Sequence, residues 1–358
     1  MKILRLYLYV PPSPGGMEKH IRRLTDEQRK MGHHVDLFYN QGDSCHSNDY
    51  IIGKYVNLKK IKFQPLRDIA FFVLVLPHVV FKKKYDLVHV HGDWSLFFLF
   101  QFVQKFVSAK KIVGSIHSGL KKKHYWPLIH KFSLKRYMHI FCSGLAEVKY
   151  LKSIGIEQVL WQPSGVDDVH FNGQFGQESI EKEYDVVNVG VFRAEKNIDL
   201  FLECASEFKD KSFLLVGDGP LKKYYENINK DMKLENVRFL GRKRPSEVSV
   251  LLRKSKVFLL TSFNEGTPTA LMEAMVNGLP IITTPSNNYN ELILDGVNGY
   301  VTDGFNKSSA INKLGLLLSC DNLCSIMSSN NIIKSKKFGW KDVSRKITYI
   351  CETEVNSH

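Results

Sequence analysis

Two glutamates eight residues apart, Glu265 and Glu273, flank a segment with the features of a helix start. Thr267 suits the N-cap position, and Pro268 suits the first helical position because proline lacks the N–H that would be left unbonded there. The free N–H groups within Gly266–Thr269, those of the residues other than the proline, would face an anion, which the helix dipole favours. The spacing therefore predicts an anion site with a carboxylate on either side.

The two carboxylates would meet different parts of a bound nucleoside diphosphate. With a rise of ~1.5 Å per residue, Glu273 lies about 8 Å along the helix, near the ribose hydroxyls. Glu265 precedes the helix and would lie on the side of an attached sugar. Leu271 and Met275 form the buried stripe, from which Glu273 points away. The alternative is an amphipathic surface helix with a solvated Glu273.

The flanking residues extend this pattern. An apolar strand, Val257–Leu260, precedes it, a Glu-Gly-Thr-Pro turn opens it, and Gly278-Leu-Pro-Ile-Ile follows. This arrangement resembles the Glu-x7-Glu motif of the retaining glycosyltransferases of family 4, and further motifs in the same order extend the resemblance over nearly the whole chain. It implies an α/β fold of the GT-B type, with two Rossmann-like domains facing across a cleft and a C-terminal helix crossing back to the first domain.

The chain of 358 residues is long enough for two such domains. Ile3–Val10, a Pro/Gly turn, a helix over 17–31 and Val35–Tyr39 predict the strand, helix and strand that begin a doubly wound sheet. A polar segment over 171–183 predicts a linker. We therefore assign an acceptor-binding Rossmann-like domain, a nucleotide-sugar-binding Rossmann-like domain and a C-terminal helix packing on the first domain to 1–172, 183–336 and 337–358.

Glycines and cations supply the other candidate phosphate contacts. Gly15-Gly16 lets the backbone approach a phosphate closely, and it resembles the N-terminal Gly-Gly loop of family 4. The family's Gly-Arg-x-x-x-Glu-Lys loop is matched at Lys196, which is implied to hold the donor phosphates. Val191 stands where the family has arginine, and Arg193 is the candidate replacement. Gly241 follows another predicted strand and is expected beside the nucleotide base.

Two histidines follow neighbouring predicted strands, where functional residues of open α/β sheets collect. His117 follows Lys111–Ile116, and His91 follows Asp86–Val90. In the resembling family a histidine at the position of His117 approaches the transferred sugar, and the resemblance implies catalytic roles for His117, Lys196 and Glu265. The alternative is a hydrogen-bonded loop histidine. The histidines show no metal-ligand spacing and no Asp-x-Asp motif is present, so we expect no metal and no cofactor, the nucleotide-sugar being a substrate.

The basic residues are concentrated in one half of the chain. The net charge is +14, and an excess of 13 positive charges lies within residues 1–175. Residues 68–136 combine apolar runs with Lys82–Lys84, Lys121–Lys123 and Trp126, which favours an anionic membrane surface as partner. The alternative is that the apolar runs are core helices. RNA-binding aromatic motifs are absent, so no nucleic acid partner is expected.

The resemblance and the charge together predict a hexosyltransferase-type enzyme, retaining and metal-independent, that moves a sugar from a nucleotide-sugar to a glycan acceptor. A lipid-linked acceptor in cell-surface polysaccharide synthesis, of O-antigen (lipopolysaccharide) or capsule type, is favoured. Reduced cysteines without a C-x-x-C pair, no signal peptide and no spanning apolar run predict a cytoplasmic protein, peripheral on the inner face of the cytoplasmic membrane. The alternatives are a nucleotide-sugar epimerase of GT-B type, or a non-catalytic protein that binds anionic membranes or nucleic acid.

Overall fold

The computed structural model describes residues 1–12, 16–80, 84–92, 94–117, 127–171, 181–265, 268–286, 289 and 291–353, with side chains at 104 and 105 left out. The chain divides into a first unit, residues 1–164 with 340–358, and a second unit, residues 165–339. The division therefore falls at 164/165, before the predicted linker. The reason is local: the Val166 amide bonds the Phe338 carbonyl at 2.8 Å, which ties residues 165–171 to the second unit.

The first unit contains a parallel sheet of seven strands in the order β3-β2-β1-β4-β5-β6-β7. Its interior strands are buried, as expected for a parallel sheet covered on both faces, and the polar residues among them include Arg5, His89 and His91. The strands are β1 Lys2–Leu6, β2 His34–Tyr39, β3 Asp49–Ile51, β4 Leu87–His91, β5 Lys111–Ile116, β6 His139–Cys142 and β7 Val159–Trp161.

Seven helices cover this sheet, the last of them from the C-terminal end of the chain. They are α1 Gly16–Lys30, α2 Gln64–Val80, α3 Trp94–Phe100, α4 Val103–Phe106, α5 Pro127–Leu134, α6 Leu145–Ser153 and α13 Trp340–Thr353. Helix α13 packs on α1, where the Gln28 amide donates to the Thr348 hydroxyl at 2.9 Å. The Lys111 ammonium donates to the Cys351 carbonyl at 2.7 Å, near the end of α13 where the helix dipole favours a cation.

The second unit contains a parallel sheet of six strands in the order β10-β9-β8-β11-β12-β13. The strands are β8 Tyr184–Val189, β9 Phe213–Val216, β10 Val237–Phe239, β11 Ser255–Leu260, β12 Ile281–Thr283 and β13 Gly299–Val301. The helices are α7 Ile198–Glu207, α8 Lys222–Asp231, α9 Pro245–Arg253, α10 Thr269–Val276, α11 Lys307–Ser319 and α12 Asp321–Ser335.

Both sheets are doubly wound, so each has a point where the strand order reverses. In the first unit this point lies between β1 and β4, and in the second unit it lies between β8 and β11. Ligands of open α/β sheets bind outside the carboxyl ends of the strands at such a point. The loops after these strands are therefore where functional side chains are expected.

Several sequence predictions about local structure were wrong. The first strand ends at Leu6 rather than Val10, because Tyr9 makes only an isolated bridge to Gln41. Strands β3 and β13 were missed because three residues carry too little periodicity. Helix α10 begins at Thr269, with Pro268 as the residue before it, one position later than predicted.

Candidate functional site

A close ion pair occupies the reversal point of the second unit. The Lys196 ammonium donates to Oε1 of Glu265 at 2.6 Å, and the Ser262 hydroxyl donates to the same oxygen at 2.6 Å. Lys196 follows β8, while Ser262 and Glu265 follow β11, so the pair joins the two strands that flank the reversal. The side chains are 23% and 8% exposed, which leaves the ammonium accessible to a ligand.

The loops that carry the pair are bonded to each other. The Thr261 hydroxyl donates to the Lys196 carbonyl at 3.0 Å, and the Phe263 amide donates to the Glu195 carbonyl at 2.8 Å. On the other side, Gly217 approaches the first loop so closely that a Cβ there would lie 1.8 Å from the Gly190 carbonyl oxygen. Its φ of +146° also favours glycine. Backbone packing therefore positions Lys196.

The second predicted glutamate lies on α10 and faces a different partner. Glu273 is 18% exposed, and its Oε1 lies 3.7 Å from Nε2 of the buried His170. The Asn277 amide connects the two, since it approaches His170 Nδ1 at 3.0 Å and donates to the Glu273 carbonyl at 2.8 Å. The neighbouring Leu271 and Met275 are buried, so Glu273 points off the buried stripe as predicted.

The other residues predicted to contact the donor lie elsewhere in the two units or outside the described ranges. Arg193 is 61% exposed and lies 3.9 Å from Glu195, so the structure does not join it to the Lys196–Glu265 pair. The Gly241 carbonyl accepts from the Gly217 amide at 2.9 Å, at the end of the neighbouring strands β9 and β10. Gly16 is the exposed first residue of α1. Pro268 is buried and Thr269 is exposed at the start of α10. The predicted residues outside the described ranges are Gly15, Gly266 and Thr267.

A cluster of imidazole rings lies at the reversal point of the first unit. His91 ends β4, and its Nδ1 lies 3.1 Å from Nε2 of His117, which follows β5. The ring of His20, on α1, lies 4.3 Å from the ring of His117 and 5.2 Å from that of Trp340. His20 and His91 are buried, whereas His117 is partly exposed.

The rings of this cluster are neutral near pH 7. Burial lowers the pKa of His117 to about 4. Burial, followed by neighbouring histidines, also lowers the pKa of His20 and of His91 well below the ordinary value. A neutral imidazole can accept a hydrogen bond or a proton, or coordinate a metal, through its unprotonated nitrogen.

Sequence reasoning named His117 and His91 but missed His20 and Ser262. A signal for His20 exists, because positions 20, 24 and 28 are spaced for one helix face and all are buried in α1. Ser262 carries no such signal, since its contact with Glu265 depends on the turn after β11.

Two family models match the chain. The model described as Glycosyltransferase Family 4 matches residues 14–169, and the model described as Glycosyl transferases group 1 matches residues 172–334. The chain belongs to glycosyltransferase family 4. The family and the GT-B fold predicted from the sequence are confirmed.

The relatives of this family 4 member include a glycosyltransferase described as uncharacterized and one named for a specific donor and acceptor. It is 26% identical to an uncharacterized glycosyltransferase of Methanocaldococcus jannaschii, with 95% of each chain covered. It is 27% identical to the UDP-Gal:alpha-D-GlcNAc-diphosphoundecaprenol alpha-1,3-galactosyltransferase of Escherichia coli, with 70% of each covered. Its fold matches that of Anabaena HepE in complex with UDP, with a TM-score of 0.74, 17% identity, and 98% and 99% of the two chains covered.

The first unit also exposes a patch of apolar side chains, which we call the aromatic patch: Phe98, Phe102, Leu128 and Phe132. The Phe98 ring lies 5.8 Å from that of Phe132 and 6.1 Å from that of Phe102, and Leu128 is 82% exposed. The predicted residues Lys82, Lys83, Lys121–Lys123 and Trp126 lie outside the described ranges. Within those ranges, every helix is too short or too polar to cross a bilayer.

Proposed function

We propose that this family 4 enzyme is a retaining, metal-independent hexosyltransferase that moves a sugar from a nucleotide-sugar to a lipid-linked glycan in cell-surface polysaccharide synthesis. The observation that carries the proposal is the 2.6 Å contact between Lys196 and Glu265 at the reversal point of the second unit. It brings a cation and a carboxylate to the place where an open α/β sheet binds its ligand.

The Lys196–Glu265 pair supplies a cation for the departing nucleoside diphosphate and a carboxylate for the sugar. Lys196 is accessible enough to turn from Glu265 to the diphosphate, where a fixed cation stabilises the charge that develops as the sugar leaves. Glu265, still bonded by Ser262, is then available to accept hydrogen bonds from sugar hydroxyls. Glu273 is assigned to the ribose hydroxyls, and the start of α10 contributes backbone N–H groups to the phosphates.

The stereochemical outcome and the role of His117 are inferred from family resemblance. In that resemblance the acceptor attacks the face of the sugar from which the diphosphate leaves, so no covalent nucleophile is assigned. His117 presents a neutral ring and is assigned to the reacting sugar. The phosphate contacts come from Lys196 and backbone groups, so the leaving diphosphate requires no metal ion, and we expect turnover to continue in a chelator.

The acceptor is inferred from relatives and from the first unit. The E. coli relative is named for a diphosphoundecaprenol-linked acceptor. The aromatic patch and the basic charge of residues 1–175 suit the inner face of an anionic membrane, where such a lipid would be reached. Arg136 lies 5.5 Å from the Phe102 ring and places a cation at the patch.

The decisive experiment incubates the protein and a panel of nucleotide-sugars with and without undecaprenyl-diphosphate-linked glycans, in EDTA. We expect nucleoside diphosphate release only with acceptor, and a product with the donor's anomeric configuration. An isomerised free sugar formed without acceptor would indicate the epimerase instead, and no release from any donor would indicate a non-catalytic binding protein.

Membrane association is tested separately with sedimented vesicles. We expect binding to vesicles rich in anionic phospholipid, with binding reduced by the double substitution Leu128→Ser and Phe132→Ser. The matched control is Leu316→Ser with Ile326→Ser, which removes exposed apolar side chains of the second unit. Equal binding by both variants would remove the membrane part of the proposal.

A further inference from the structure

The histidine cluster of the first unit contains two ring nitrogens that its own packing leaves unused. Nε2 of His20 and Nε2 of His91 are buried and have no hydrogen-bond partner among the described residues. A buried polar atom without a partner costs free energy, and each such atom in a folded protein requires an explanation. The role of His117 in transfer does not supply one, because these nitrogens belong to its neighbours.

The arrangement of the rings resembles a ligand set. Each of His20, His91 and His117 offers one ring nitrogen, and the three atoms lie within 4.8 Å of one another. The separation of 3.1 Å between His91 Nδ1 and His117 Nε2 is close to the roughly 3.3 Å expected between two ligands in a tetrahedral zinc site with ~2.0 Å bonds. With Nδ1 of His91 as a ligand, the unpartnered atom that the ion would engage is Nε2 of His20. The His20 ligand atom lies within 4.8 Å of the other two and would move closer to them as the ion binds.

Residues around the cluster contact the histidine rings in the way that residues around a metal site contact its ligands. His20 Nδ1 lies 2.9 Å from the Ser164 hydroxyl, which directs the opposite nitrogen, Nε2, into the cluster. Metal-binding histidines commonly bond their other nitrogen in this way. The rings of Trp340 and His89 pack against His20 and His91 at 5.2 and 4.1 Å. Groups outside the cluster thus pack against the rings of His20 and His91.

We propose that His20, His91 and His117 bind a divalent transition-metal ion, with Zn²⁺ the best match, and that the bound ion inhibits the enzyme. Three imidazoles are ligands for Zn²⁺, Co²⁺, Ni²⁺ or Cu²⁺, whereas Mg²⁺ and Ca²⁺ require oxygen ligands. Coordination requires an unprotonated ring nitrogen, and each of the three rings offers one ligand atom to the cluster. His117 is partly exposed, so ions can enter and a fourth ligand position stays open.

The inhibitory part of this inference rests on the proposed function of His117, whereas the metal site does not. An ion on His117 would hold the ring away from the sugar. Arg5 lies behind His89, with its guanidinium 3.4 Å from His89 Nδ1, and a buried cation there opposes a second positive charge. We therefore expect binding weaker than that of a structural zinc site and fully reversible by a chelator.

The test uses Co²⁺ as a spectroscopic probe on the full chain. We expect one equivalent of Co²⁺ to give the intense visible absorption of a four-coordinate site, and Zn²⁺ to displace it. His20→Phe keeps an aromatic ring and removes one ligand, so it should weaken Co²⁺ binding by at least about tenfold. The matched control is His130→Phe, which replaces another buried histidine of the first unit that contacts Tyr150 instead.

A second substitution, His91→Phe, and thermal unfolding of each variant separate ligand loss from misfolding. A cooperative unfolding transition with weakened Co²⁺ binding in both variants supports the site. No four-coordinate spectrum in the wild-type chain, or equal binding by His20→Phe and His130→Phe, overturns it.

The activity arm distinguishes this inference from the proposed function. Zn²⁺ should stop sugar transfer, EDTA should restore it, and His20→Phe should raise the inhibitory concentration at least tenfold. Sugar transfer without Co²⁺ binding would support the proposed function and exclude the metal site. Co²⁺ binding without transfer from any donor would support the metal site and contradict the proposed function. Unchanged Zn²⁺ inhibition of His20→Phe would exclude only the claim that the bound ion inhibits the enzyme.

Discussion

The two reversal points of this protein are alike in topology and opposite in chemistry. In the first unit, helix α1 and the ends of β4 and β5 bring together neutral imidazoles, two of them buried. In the second unit, the loops after β8 and β11 bring together Lys196 and Glu265, an ion pair whose ammonium is 23% exposed. Both sheets therefore bring side chains together at the point where the strand order reverses. The identity of those side chains determines which ligand chemistry each reversal point supports.

The difference lies in how each site satisfies its polar groups. The ion pair is complete within itself, since Glu265 neutralises Lys196 and is also bonded by Ser262. A substrate must replace that bond with a better one. Among the described residues, Nε2 of His20 has no hydrogen-bond partner, which suits a ligand that accepts a nitrogen lone pair, such as a metal cation. Anion chemistry is thus expected in the second unit and cation chemistry in the first.

The largest effect is expected at the ion pair. Lys196→Ala removes the cation from the leaving diphosphate, and we expect kcat to fall about 10²- to 10³-fold, with the fold retained. The measurement is steady-state nucleoside diphosphate release, with Lys222→Ala as the control because Lys222 is a partly exposed lysine of the same unit paired with Glu226. A loss of less than threefold would break the comparison, since the second unit would then lack its anion site.

A smaller loss is expected in the first unit. His117→Gln keeps a polar side chain but removes the ring that is assigned to the reacting sugar, and we expect kcat to fall by about 10²-fold, typical of the loss of one positioned polar group. Donor KM should change little, because His117 is not assigned to the donor phosphates, whose charged contact, Lys196, lies in the second unit. A large rise in donor KM with unchanged kcat would contradict the division of roles between the units.

Stability sharpens the comparison further. In Gly217→Ala the added Cβ would meet the Gly190 carbonyl oxygen at 1.8 Å, and we expect a loss of about 2–3 kcal/mol and displacement of the loop that carries Lys196. For stability alone, the control is Gly16→Ala, since a Cβ there would meet no described atom within 4 Å. Thermal unfolding and donor titration measure both effects. Equal unfolding midpoints would show that Gly217 is not required for packing.

The smallest effect is expected from Gly16→Ala itself. Neither its φ nor the packing of the described residues demands glycine there. We therefore expect unchanged stability and a few-fold rise in donor KM, because a methyl group would obstruct a phosphate approaching the start of α1. Unchanged kinetics would confine the donor contacts to the second unit.

The extent of successful prediction varied from one residue to the next. The structure brings Lys196 and Glu265 together and leaves Glu273 partly exposed on α10, three positions that the sequence predicted from helix starts and strand ends. The roles of these residues stay predictions, as does that of Arg193, which lies beside Glu195. The start of α10 was misplaced by one residue. Strands β3 and β13 were missed, since three residues carry too little periodicity.

By itself, the sequence determined most of the strands and helices and the candidate residues at strand ends, because periodicity and turn chemistry act over a few neighbouring residues. The two Rossmann-like sheets were implied by its family resemblance. Only the tertiary structure decided that Lys196 meets Glu265 and that the His20 ring packs against the His117 ring. Such contacts depend on strand order and on the rotation of each helix against its sheet. Both are set by core packing among residues far apart in the chain.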